Sequence, residues 1–88
     1  MNYYIALLKL DPNYTDKAVQ QIKKLPKKPM RDINICYSYY VFGTWDACVW
    51  FQTNKHDSAM SFVQKYIRKI PHVTETYIMP TTTIKEYK

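Results

Sequence analysis

The chain has 88 residues, 47% of them hydrophobic and 16% aromatic, and 13 Lys and Arg against seven Asp and Glu give a formal net charge of +6. This length makes one domain, this apolar content excludes a disordered chain, and no apolar run approaches the roughly 18 residues of a membrane span. The opening MNYYIALLKL has neither a basic leader nor a small-residue cleavage site, so no signal peptide is read and a cytoplasmic location is expected.

Residues 3–10, YYIALLKL, are expected to form a strand ended by Asp11, Pro12 and Asn13, because proline donates no ladder bond and Asp and Asn favour turns. Ala18, Val19, Ile22 and Leu25 then recur at three- and four-residue spacing. That period predicts an amphipathic helix over 15–25, with Thr15 as N-cap and Pro26 as stop. Lys23, Lys24, Lys27 and Lys28 cluster around its end, where they complement the helix dipole. No zinc-finger, helix-turn-helix or RNA-binding motif accompanies them, so direct DNA binding is not expected.

Residues 32–42 read as a long strand rich in Ile, Tyr and Val, and 45–53 as its antiparallel return. Gly43, the only glycine, sits between them where a tight turn calls for positive φ. A second helix is predicted over 57–70, with Asp57 as N-cap and Ala59, Phe62, Val63, Tyr66, Ile67 and Ile70 on its apolar face. Pro71 ends it, residues 73–79 form a last strand, and 81–88 are an edge strand or tail.

The order βαββαβ predicts an α+β, ferredoxin-like fold: a four-stranded antiparallel sheet with two helices on one face. Strict alternation puts Ile33, Ile35, Tyr37, Tyr39 and Val41 on one side of the second strand, and groups Trp45 with Ala47, Val49 and Phe51 in the third. Both sheet faces are then largely apolar, although the helices cover only one. Either a ligand or a second copy must cover the other, and a two-fold, sheet-on-sheet dimer is the expected solution. Cys36 and Cys48 match no metal or redox spacing and read as free thiols; His56 and His72 are likewise not spaced as metal ligands. No cofactor is expected.

Gly43, Thr44, Trp45 and Asp46 form a G-x-(aromatic)-D turn before a hydrophobic strand, IRKIPHV at 67–73 ends the second helix, and Thr74, Glu75 and Thr76 make a T-x-T strand. Together these motifs resemble the C-terminal effector domain of the Lrp/AsnC, or feast/famine, transcription regulators, known as the RAM (regulation of amino acid metabolism) domain. Trp45 stands where that family usually has tyrosine, and His72 where glycine commonly follows the proline. Thr76 and Ile78 are an alternative alignment of the T-x-T pair. Because Met1 lies two residues before the first strand, residues 1–88 are expected to be a stand-alone RAM domain with no DNA-binding domain.

The resemblance implies a dimeric α+β barrel, assembly of dimers into a larger ring such as an octamer, and free amino acids bound in inter-dimer clefts. It implies that Gly43, Thr44, Trp45, Asp46, Thr74 and Thr76 line those clefts. It also implies regulation by amino-acid sensing, either alone or by hetero-assembly with full-length Lrp/AsnC regulators. The chemistry suits a zwitterion: turn N–H groups for its carboxylate, Asp46 as acceptor for its ammonium group, hydroxyls for either end. Asp46 could equally cap the hairpin, Trp45 could be core, and threonines are ordinary in strands. Two other functions share this fold. One is a cofactor-independent monooxygenase type of enzyme, for which no nucleophile-base pair or paired carboxylates stand out. The other is an RRM-like nucleic-acid-binding module with Tyr37, Tyr39 and Phe51 as its stacking platform.

Overall fold

Along β1 (Asn2–Leu10), buried Tyr4, Ala6, Leu8 and Leu10 alternate with half-buried Tyr3, Ile5, Leu7 and Lys9, so one side of the strand is sealed and the other is not. The structure, a computed structural model, describes residues 2–87. It continues through α1 (Thr15–Lys23), β2 (Asn34–Tyr40), β3 (Ala47–Thr53), α2 (His56–Phe62) and β4 (Val73–Thr81). The four strands form one antiparallel sheet in the order β2-β3-β1-β4, with both helices packed on the sealed face, as the βαββαβ reading expects.

The core lies between the helices and that face. Ala18, Val19 and Ile22 of α1 and Ala59 and Phe62 of α2 join Leu8, Val49 and Phe51 of the sheet. Each large aliphatic or aromatic side chain buried there contributes about 1.5–3 kcal/mol. After α2 the chain widens into a π-helical turn (Val63–Ile67), closed by the Arg68 N–H donating to Val63 O at 2.8 Å. The turn keeps Val63, Ile67 and Ile70 buried, so the apolar face predicted over 57–70 is present although its backbone is not one uniform helix.

Neither predicted N-cap holds. Tyr14 occupies the cap position of α1, and Thr15 is its first helical residue, with Oγ1 donating to Asp11 O at 3.3 Å. Lys55 occupies the cap position of α2, and Asp57 sits in the first turn, where its charge still suits the dipole.

The second correction concerns β2. Ile35 pairs with Phe51, yet Tyr37 pairs with Trp50, so Cys36 is an extra residue in a bulge. One inserted residue reverses every later side chain. Ile33 and Ile35 therefore belong to the core side, while Tyr37 and Tyr39 join Trp50 and Cys48 on the open side. Without the bulge, Tyr37 and Tyr39 would lie under the helices; with it, small Ser38 faces Val49 instead. The open face is completed by Tyr77 and Met79, which pair with Leu7 and Ile5.

Candidate functional site

Strand β2 ends at Tyr40 and β3 starts at Ala47, so residues 41–46 form the connection, longer than the two-residue turn expected at Gly43–Thr44. Gly43 has φ +113°, a region L side chains rarely adopt, although a Cβ there would meet nothing within 4 Å. Its backbone conformation, not crowding, calls for glycine. The loop closes through the Val41 N–H donating to Asp46 O at 3.1 Å.

Asp46 ties this loop to the end of β1. Its N–H donates to Leu8 O at 2.9 Å, and its Oδ2 accepts the Leu10 N–H at 2.9 Å. The carboxylate thus takes the place of a backbone carbonyl one step before the start of β3. A carboxylate offers about four lone-pair sites, so the bond to Leu10 leaves capacity for another donor.

Trp45 does not join Ala47, Val49 and Phe51 in the core. It leaves the strand line and stacks on Tyr77 of β4, with centroids 6.1 Å apart and planes at 25°. Since Tyr77 pairs with Leu7, this contact lies on the open side and reaches across β1. Sequence reasoning missed Tyr77; its place directly after Thr76 is the only signal that could have found it.

The threonines lie on the far side of β1. Thr76 pairs with Leu8, whose other neighbour is Ala47. Thr74 falls in the register shift between Lys9 and Leu10, and its Oγ1 donates to Lys9 O at 3.3 Å. Thr76 and Ile78 share the helix side, since their partners are Leu8 and Ala6. Arg68, which sequence reasoning did not single out, joins Thr74 and Thr76 around a shallow cavity of about 180 Å³. Gly43, Thr44, Trp45 and Asp46 do not line it. The six residues thus gather at one end of the sheet, in two groups with β1 between them.

His72 connects this end to α1. It has φ +70°, a left-handed conformation in a non-glycine residue, at the position where the resemblance leads one to expect glycine. Its ring stacks on Tyr14 at 4.1 Å, and its carbonyl accepts the Asp11 N–H at 2.8 Å. Both contacts hold the strained residue in place just before β4.

Cys36 and Cys48 are free thiols, and burial pushes the Cys48 thiol up, against a smaller lowering by a hydrogen bond to the Tyr39 backbone. Among the described residues no group of three or more His, Cys, Asp or Glu is placed to hold a metal ion. No helix is long and apolar enough to cross a membrane.

No family model matches the sequence, and no curated protein matches it significantly. Solved structures do match the fold. FFRP-DM1 superposes with a TM-score of 0.72 at 20% identity, over 93% of this chain and all of that one. AsnC of E. coli superposes at 0.78 and 11% identity, over 99% of this chain and 54% of its own. A transcriptional regulator from Neisseria meningitidis, solved in complex with L-Met, superposes at 0.76 and 8% identity over 98% of this chain and 53% of its own. At these identities the likeness establishes the fold, which this chain shares with AsnC-type regulators while spanning about half their length.

Proposed function

We propose that the chain is an effector-binding module of the Lrp/AsnC type that assembles through its open sheet face and senses a small amino acid, without catalysing a reaction. The observation that carries this reading is the Trp45–Tyr77 stack, which ties the G-x-(aromatic)-D loop to β4 beside Thr76. It agrees with the fold shared with regulators, one of which was solved with L-Met.

In this reading Asp46 receives the ligand's ammonium group, N–H groups around Gly43 and Thr44 receive its carboxylate, and Trp45 walls the site. Ala47 and Thr76 flank Leu8 on opposite sides, about 9.6 Å apart at two strand spacings. The charged groups of an α-amino acid sit on one carbon and cannot by themselves span that gap. A neighbouring protomer therefore completes the cleft around the ligand, which makes binding and assembly a single linked equilibrium. Dimers pairing into a larger ring, and hetero-assembly with full-length regulators in the cytoplasm, are the settings in which this linkage acts.

Two measurements test the reading. Light scattering on a size-exclusion column should show a dimer or larger species; a monomer at every concentration would remove the inter-protomer cleft. A thermal-shift screen of the twenty amino acids should find at least one stabiliser whose effect is lost in Asp46→Asn. No stabiliser among the twenty would sink the sensing role while leaving assembly intact.

A further inference from the structure

Ten of the thirteen cations lie in the two helix-bearing segments that connect strands, residues 11–33 and 54–72, together with four of the seven acids. The strands, the 41–46 loop and the tail hold three of each, so the formal excess of +6 belongs to the helix layer. All ten of its cations are exposed. The acids of this layer are engaged locally. Asp11 accepts the Asn13 N–H at 3.0 Å, and Asp32 accepts the Ser58 hydroxyl at 3.4 Å and pairs with Lys55 at 3.8 Å. Asp16 and Asp57 sit in the first turns of α1 and α2. Among the described residues the other nine cations of the layer are in no ion pair.

The outer face of α1 departs from an ordinary solvated helix. Ala18, Val19 and Ile22 are buried, so the helical period turns Lys17, Gln20, Gln21 and Lys24 outward, and all four are exposed. A solvated helix gains stability from acids three or four residues from its lysines. Gln20 and Gln21 stand at those positions for both Lys17 and Lys24, and no acid does. In the second segment Lys65, Arg68 and Lys69 crowd like charges together. The layer thus keeps uncompensated positive charge on a side of the sheet that assembly through the open face leaves uncovered.

We propose that the outer face of the helix layer docks on the phosphate backbone of double-stranded B-form DNA without reading its bases. Lys17 and Lys24 are seven residues apart, about 10 Å along the axis, close to the roughly 12 Å width of the major groove. They meet phosphates on its two rims, and the amides of Gln20 and Gln21 between them donate to phosphate oxygens. The missing DNA-reading motif excludes sequence recognition but not this contact, which counterion release drives. A membrane surface would call for large apolar side chains among the lysines, and a single strand for free aromatic rings. Among the described residues Tyr14 is the one exposed large hydrophobic residue of the two segments, and its ring is taken by His72 at 4.1 Å and Lys17 at 5.5 Å.

Fluorescence anisotropy of a labelled DNA duplex of arbitrary sequence, titrated with the full chain, reads the contact. At physiological salt a Kd between about 1 and 100 µM is expected, equal for unrelated sequences and weakening steeply as salt rises. Lys17→Gln and Lys24→Gln should each weaken binding severalfold and lower the salt slope by about 1. Lys85→Gln makes the same change of net charge in the tail and should shift the affinity by less than about twofold. Circular dichroism checks that all three variants keep the fold. Three results would overturn the proposal. The anisotropy could stay unchanged at physiological salt. Lys85→Gln could weaken binding as much as Lys17→Gln, which would mean attraction by net charge without a docking face. An RNA duplex or phosphatidylserine vesicles could bind more tightly than the DNA duplex, which would assign the face to a different polyanion.

Discussion

The two faces of the sheet solve the same problem by different means. Under the helices, Ala6, Leu8, Val49 and Phe51 are sealed from solvent by residues of the same chain. On the open side, Tyr37 and Tyr77 keep 55% and 54% of their surface, and the exposed groups are aromatics with polar tips. Aliphatic side chains suit a face that is always covered, whereas tyrosine tolerates both water and a partner. The helix-covered face therefore specifies the fold, and the open face suits the proposed contact with a second copy.

That division is broken most forcefully from the covered side. Phe51→Ala should cost about 3–5 kcal/mol, enough to unfold a domain of this size, and urea denaturation followed by circular dichroism reads it directly. The corresponding change on the open side should leave the fold and attack assembly. Met79 faces Ile5 on that side of the edge strand β4, and lysine is well tolerated on edge strands. Met79→Lys should give a protomer with an unchanged circular dichroism spectrum that no longer dimerises by light scattering. Wild-type-like assembly in this variant would show that the open face is not the interface.

Asp46 sits between the two regimes, since its carboxylate both finishes the β1 ladder and is the proposed ammonium acceptor. Asp46→Ala removes the acceptor of the Leu10 N–H and should cost about 1–2 kcal/mol in urea stability. Asp46→Asn keeps an acceptor oxygen without the charge. It should recover most of that stability and none of the amino-acid response, which separates the structural role of the residue from its binding role.

How much of this was legible beforehand follows from what local pattern encodes. The helix periods and the apolar strand runs follow from each element having its own buried side, and they located the four strands, the two helices and their order, though not the π-helical turn at Val63–Ile67. Cys36 shows the limit. A bulge satisfies the packing of Ser38 against Val49, a contact made between strands, and nothing in INICYSYY marks the residue left over. The same bulge and its pairing remove Phe51 from the expected stacking platform: it is fully buried beneath the helices, and Trp50 takes its place beside Tyr37. Trp45 was misplaced for a related reason, because alternation stops applying where the strand does. Asp46 was singled out from sequence as the acid of the G-x-(aromatic)-D turn, and its bond to Leu10 arises from β1, thirty-six residues away.

Two smaller effects sharpen the comparison. His72→Gly should relieve about 1 kcal/mol of left-handed strain and lose a similar amount of stacking on Tyr14, for a net change below about 1 kcal/mol. His72→Ala keeps the strain and loses the stack, so it should fall below both by urea midpoint.

The smallest effect belongs to Cys48, which pairs with Leu7 and Tyr39 on the open side and is nonetheless buried. Burial raises its thiol, so the native chain keeps this proton at a pH where the unfolded chain has released it. With more protons bound in the native state, stability falls as pH rises above the ordinary thiol value of about 8.5, and the loss continues until the native thiol also ionises. Tyr and Lys titrate in the same range, so the informative quantity is the difference in slope between the wild type and Cys48→Ala. The urea midpoint of the wild type should decline more steeply between pH 8 and 10 than that of the variant. Equal slopes would mean that the thiol is solvated through the open face, and that this side of the sheet is wetter around Cys48 than its packing indicates.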